Sequence, residues 1–176
     1  MLDGVREFMR GIDNMRLSTA FVLVLTMAAS GWTKPAAVKS YRGMFFEVQY
    51  PATFNARNLD GETTAQSNAA TFTSPDGTVE FYIFSPQWAG KAPGIDFDAS
   101  KEVEAERSAK KSGTGVYTWY TYRAKDRSYT RTYQDFLDSE LNVHWVIGLK
   151  YRSEDDFARY RSAYLEFKKS LKQFSD

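Results

Sequence analysis

Asn142 to Tyr151 is an apolar-rich stretch that leads directly into a long amphipathic one beginning at Ser153. In the first stretch Val143, Trp145, Ile147, Leu149 and Tyr151 share one face at period two, the mark of a strand whose face must be covered. In the second, Phe157, Tyr160, Tyr164, Phe167, Leu171 and Phe174 recur every three or four residues, while Arg159, Arg161, Glu166, Lys168 and Lys172 take the remaining surface. Ser153 suits an N-cap, Glu154, Asp155 and Asp156 suit the positive first turn, and Lys168, Lys169 and Lys172 gather at the negative end. A greasy strand followed at once by a helix with an aromatic stripe restricts the chain to layered sheet-and-helix architectures.

The length of 176 residues allows one ordinary domain plus a small appendage. An aromatic share of 16% favours a sheet-containing globular protein over a disordered one. The formal net charge is +1, with cations and anions interspersed, so nothing electrostatic favours nucleic acid or an anionic membrane. Cysteine is absent, which removes disulfides, thiolate metal sites and a cysteine nucleophile.

From Met15 the chain carries one arginine, an apolar run of about thirteen residues and then small residues, the layout of a secretory signal. Ala28 and Ser30 occupy the positions required for cleavage before Gly31, so residues 1–30 are expected to be a signal peptide, with Met15 an alternative start. A helix packed on the domain and an uncleaved anchor are the competing readings. Export places the mature protein in a bacterial periplasm or outside the cell.

Residues 31–43 read as a linker, and 44–176 as one domain. Met44–Tyr50 alternates and stops at Pro51, 55–68 reads as polar loop, and the arms 69–74 and 78–84 flank the tight-turn residues Pro75-Asp76-Gly77. Lys101–Lys111 reads as a short helix capped by Asp98 or Ser100 and ended by Gly113. The stretches 116–123 and 129–136, rich in Tyr, Thr and Trp, form a hairpin that feeds the strand described first. The expected order is β-β-β-α-β-β-β-α, a mostly antiparallel six-stranded sheet covered by helices, of class α+β.

Phe46-Glu-Val-Gln-Tyr-Pro51, Phe72-Thr-Ser-Pro-Asp-Gly-Thr-Val79 and the closing aromatic helix near Leu165–Leu171 resemble the PsbP-like family, which includes the photosystem II extrinsic protein and periplasmic DcrB-like proteins. The resemblance covers most of residues 44–174. It implies an α/β/α sandwich, export, and an accessory or binding role rather than catalysis. It transfers no functional residue.

The residues offer little chemistry. His144 is the single histidine, on the face opposite the main stripe, and suits a structural or solvent-facing role. A zinc site needs about three protein ligands and a catalytic base needs a nucleophile and an orienter, so neither a metal nor a cofactor is expected. Asp135, Asp138 and Glu140 read as a solvated turn, and Gly113-Thr114-Gly115 runs helix-to-strand, the wrong order for a phosphate loop. Trp88 either plugs the core from its Pro/Gly loop or waits for a partner. The hairpin stands out: Tyr117, Trp119 and Arg123 share one face of its first arm, and Tyr129, Arg131 and Tyr133 one face of its second. These six could wall a pocket against the C-terminal helix for a small aromatic or anionic ligand, or simply stabilise a sheet by cross-strand pairing. The leading expectation is an exported, non-enzymatic domain that binds a protein partner or envelope component; a small-ligand carrier is the alternative.

Overall fold

The computed structural model describes residues 37–61, 63–87 and 90–174. The expected signal segment with Met15 and its Ser30–Gly31 cleavage point, and Trp88, lie outside the described residues. The described chain folds as β1 (Val38–Arg42), β2 (Phe46–Pro51), β3 (Asn55–Asn58), β4 (Ala69–Thr73), β5 (Val79–Phe84), β6 (Glu102–Ser112), β7 (Gly115–Ala124), β8 (Thr130–Asp138), β9 (Val143–Tyr151), α1 (Glu154–Lys169) and β10 (Lys172–Gln173). Strands pair antiparallel in two sheets, a small one ordered β1-β2-β10 and a large one ordered β3-β4-β5-β9-β8-β7-β6. The class is α+β, as the sequence indicates.

The main core lies between α1, the small sheet and the β4-β5-β9 part of the large sheet. Phe46, Val48 and Tyr50 come from β2, Phe72 from β4, Val79, Phe81 and Ile83 from β5, Ile147 and Leu149 from β9, and Tyr164 and Phe167 from α1. Period-two alternation puts these strand residues inward, and helical spacing does the same for α1. Ser153 caps α1 as expected, its hydroxyl accepting from the Asp156 amide and donating to the Asp156 carboxylate. The Pro75–Gly77 turn also forms: Asp76 Oδ1 gathers the hydroxyls of Ser74 and Thr78 and the Thr78 amide, and Asp76 Oδ2 meets Arg159 of α1 at 2.8 Å.

A second, smaller core covers the opposite face of the large sheet. Tyr82, Tyr120, Tyr122 and Tyr133 lie there with Phe84 and Val146, beneath a segment that brings in Ala92 and Ile95. Gly148 makes this layer possible: it pairs with Tyr82 on one side and Tyr133 on the other, and a Cβ would enter the Tyr133 ring. The bare backbone lets the two tyrosines meet edge-to-face at 5.6 Å.

Several expectations need correction. Residues 102–112 are a strand, not a helix. The local turn at Asp98 exists, with the Lys101 and Glu102 amides donating to its carbonyl, but it leads into β6. Ser112 pairs with Gly115, so Gly113-Thr114 is a two-residue hairpin loop with Gly113 at φ 63°, rather than a helix cap. Cross-strand pairing overrides the helical propensity of this Glu/Ala/Lys-rich segment. The supposed linker contributes β1, which pairs with β2 and buries Tyr41 in the main core, and the polar stretch 55–58 contributes β3, held by its pairing with β4. The helix stops at Lys169, and Lys172 and Gln173 pair with β2 instead of extending it. Among the described residues α1 is the one α-helix, so the face opposite it is covered by loop, not by a second helical layer.

β6 is the outermost strand of the large sheet, and ten of its eleven residues are exposed. A bulge between Glu104 and Glu106, with Arg107, Lys110 and Lys111 alongside, guards this free edge against pairing with another chain.

Candidate functional site

Residues opposite one another in an antiparallel pair project to the same face, so register decides which hairpin residues can cooperate. Tyr117 pairs with Phe136, Trp119 with Gln134, Tyr120 with Tyr133 and Tyr122 with Arg131. Tyr117, Trp119 and Arg123 therefore face the α1 side, whereas Arg131 and Tyr133 face the loop side with the buried tyrosines. Tyr129 joins them there, with its hydroxyl on Glu102. The six candidate residues are divided by the sheet and do not line one pocket between the hairpin and the helix.

On the loop side Arg131 acts as a fastener. Its Nε and Nη2 donate to the two Glu102 carboxylate oxygens at 2.6 Å each, and Nη2 also reaches the Asp96 carbonyl at 2.7 Å. Nη1 reaches the Gly94 carbonyl and the Tyr133 hydroxyl at longer range. Both charges are buried, at 7% and 2% exposure, so their hydrogen bonds are directed inward and leave no fork for a ligand. Burial works against the Glu102 charge, but donation from Arg131 and Tyr129 outweighs it and holds the carboxyl below its ordinary value. Burial and the Glu102 carboxylate push Tyr129 up to about 12.

Beside this fastener, a cleft of about 340 Å³ is lined by Arg107, Tyr120, Tyr122, Asp135, His144 and residues of the 90–97 segment. His144 is buried, neither facing solvent nor bordering a nucleophile: its Nε2 meets Asp135 Oδ1 at 3.1 Å and its ring stands edge-on to Phe84. Its Nδ1 is also buried and has no hydrogen-bond partner among the described residues. The hydroxyls of the cleft are phenols, and burial together with the Asp135 carboxylate holds Tyr120 above its ordinary value. Asp138 is buried too, fixing its turn by accepting from the Glu140 and Leu141 amides and from Thr114. No group of three or more metal-ligating side chains occurs among the described residues.

The α1 side carries the more informative surface. The helix covers β2, β5 and β9, and its Lys168 reaches Gln134 of β8 at 2.7 Å; among the described residues no helix or strand packs on the sheet face beyond that contact. There Tyr117, Trp119, Phe136 and Trp145 form one half-exposed cluster. Tyr117 lies 5.6 Å from Trp119, 4.6 Å from Phe136 and 5.9 Å from Trp145, centroid to centroid. Gly115 abuts this cluster, its missing Cβ leaving room for the Phe136 ring. Val116, Leu137 and Leu141 are exposed at the same end of the sheet. The hairpin composition drew attention to Tyr117 and Trp119 and the apolar stripe of the last strand to Trp145; Phe136 joins them through register.

No protein-family model matches the chain, and no curated protein matches it. Solved structures do. The solution structure of cyanobacterial PsbP (CyanoP) from Synechocystis sp. PCC 6803 is 12% identical and aligns over 84% of this chain and 99% of that one, with a TM-score of 0.50. The Saccharomyces cerevisiae Ran-binding protein Mog1p aligns at 11% identity over 78% of this chain and 96% of its own, with a TM-score of 0.41. A Bacteroides thetaiotaomicron protein aligns at 17% identity over 80% and 49%, with a TM-score of 0.44. The first of these shows that the fold is PsbP-like, in agreement with the resemblance read from the sequence.

Proposed function

We propose that this chain is an exported, non-enzymatic binding domain that docks a protein partner of the cell envelope on the aromatic end of its large sheet. The observation that carries this reading is the cluster of Tyr117, Trp119, Phe136 and Trp145, left half-exposed on a hydrogen-bonded scaffold instead of buried under α1. Aromatic anchors at the centre with a polar rim are the usual make-up of a protein interface, and Lys110 and Ser108, across from Tyr117 and Trp119, supply such a rim. Tyr117 stacks beside Trp119, and Phe136 tilts against both Tyr117 and Trp145, so the four rings form one contiguous apolar patch suited to apolar side chains. His144, paired through Nε2 with Asp135 and with no Ser, Thr or Cys nucleophile among the described residues of its cleft, favours binding over catalysis.

A photo-reactive residue in place of Lys110 keeps all four rings intact. It is expected to give a discrete protein adduct in cells, which vanishes when Tyr117 and Trp119 are both replaced by Ala. Hot-spot aromatics of this kind contribute about 2 kcal/mol or more each, roughly a thirtyfold loss of affinity. An adduct that survives the double substitution, or that forms as readily from Leu165 on α1, overturns the reading. Export has its own readout: the native protein should begin at Gly31, and a start upstream of Ala28 refutes the processing site.

A further inference from the structure

We infer that a cleft at the opposite, cation-rich end of the large sheet binds a small oxyanion, a phosphate or carboxylate group, through Lys150 and Arg152. The cleft measures about 460 Å³ and is bounded by the 77–80 turn, Ser128, Tyr129 and the end of β9 with Arg152. It lies apart from the aromatic cluster, so this site is independent of the docking role.

Lys150, Arg152 and Arg127 form no ion pair among the described residues. Glu80 pairs across the strands with Lys150, yet its carboxylate accepts from the Thr73 hydroxyl at 3.4 Å and forms no ion pair among the described residues. The Lys150 ammonium lies 4.5 Å from the Tyr129 ring centroid instead. Arg131, Lys150's other cross-strand neighbour, is a like charge already saturated by Glu102. Arg152 uses its backbone amide to hold the Thr78 carbonyl, but its guanidinium meets no carboxylate among the described residues. Arg127, in the adjacent turn with φ 62°, has none either.

Two cations with no carboxylate partner among the described residues thus line one concave surface, in a chain whose net charge is only +1. An oxyanion seated there would accept from a planar guanidinium fork and a point-charge ammonium together, the pairing that suits phosphate and carboxylate. The cleft hydroxyls are committed elsewhere: Thr78 donates to Asp76 and Ser128 to Asp126. Recognition therefore rests on the two cations. Glu80 in the same cleft limits the charge a ligand can carry near Thr73 and directs its anionic group toward Arg152.

Two-dimensional amide NMR of the mature protein tests this, with inorganic phosphate and succinate titrated separately at fixed ionic strength and chloride as the reference. The expected result is saturable shifts at Thr78, Glu80, Ser128 and Arg152 with at least one of the two anions, weakened about tenfold or more by either Lys150→Gln or Arg152→Gln. Both side chains are exposed, so the variants should fold, and Lys111→Gln on β6 serves as the control cation. Phosphatidylglycerol vesicles distinguish a lipid headgroup from a free phosphate as the source. Shifts that do not saturate, that spread over all exposed cations alike, or that persist in both variants overturn the proposal.

Discussion

Glu102→Ala is expected to destabilise the protein by about 3–5 kcal/mol, because it strands the Arg131 guanidinium as an uncompensated buried charge. The residue sits at the start of β6 with 2% exposure, and through Arg131 it holds the carbonyls of Gly94 and Asp96 against the sheet. Loss of the pair should therefore also raise amide exchange across residues 90–101, which cover the tyrosine layer, before it is felt in the main core. Replacing both partners by Met should cost less than removing one, since the desolvated charges then leave together. The exposed pair of Glu104 and Arg107 is the control: Glu104→Ala should cost no more than about 1 kcal/mol. Equal midpoints in urea for Glu102→Ala and Glu104→Ala would mean that the fastener holds nothing.

The same pair sets the direction of a pH effect. The Glu102 carboxyl is lowered in the folded state, whereas in the unfolded chain a glutamate titrates near ~4.3. The folded state then binds its proton less readily than the unfolded one. Its contribution is complete above that unfolded value and is lost as pH falls through the lower folded one. Acid unfolding of the wild type should be steeper below about pH 4 than that of the Glu102→Met/Arg131→Met variant, which lacks this proton.

Elements that carry their own apolar period were legible in the sequence, and elements that borrow their order from a neighbour were not. The Ser153 cap, the Pro75–Gly77 turn, the 116–136 hairpin and β9 each announce themselves within a few residues. β6 does not: its single buried side chain is a glutamate whose partner lies 29 residues away, and the rest reads as a solvated helix. Gly113-Thr114 was the available clue, since a glycine at the first position of a two-residue loop fits a type II′ hairpin as well as a helix cap. Site residues follow the same division. Aromatic enrichment marks Tyr117 and Trp119, but Arg131 looked like a ligand arginine because nothing local reveals that Glu102 saturates it. Lys150 and Arg152 were silent for the opposite reason: an unpartnered cation has no sequence signature, and only the folded ion-pair pattern shows which charges remain unsatisfied.

Phe167→Ala is expected to cost about 3–5 kcal/mol, the range for removing a buried ring that its surroundings cannot replace. Phe167 is 1% exposed and packs 5.3 Å from Phe72 of β4 and 5.2 Å from Phe81 of β5, centroid to centroid. It is the point where α1 locks both sheets, because Ser170 and β10 follow it immediately and join the helix to β2. A 16-residue helix is marginal by itself in water, so its order comes from this packing more than from propensity. Phe157, half-buried at the other end of the stripe against Tyr151, should cost distinctly less when truncated, and exposed Leu165 least of all. Equilibrium urea unfolding of the three alanine variants orders them. A layered protein clamped by α1 requires Phe167 above Phe157 above Leu165, and near-equal losses would mean that the helix rests on the sheets without holding them together.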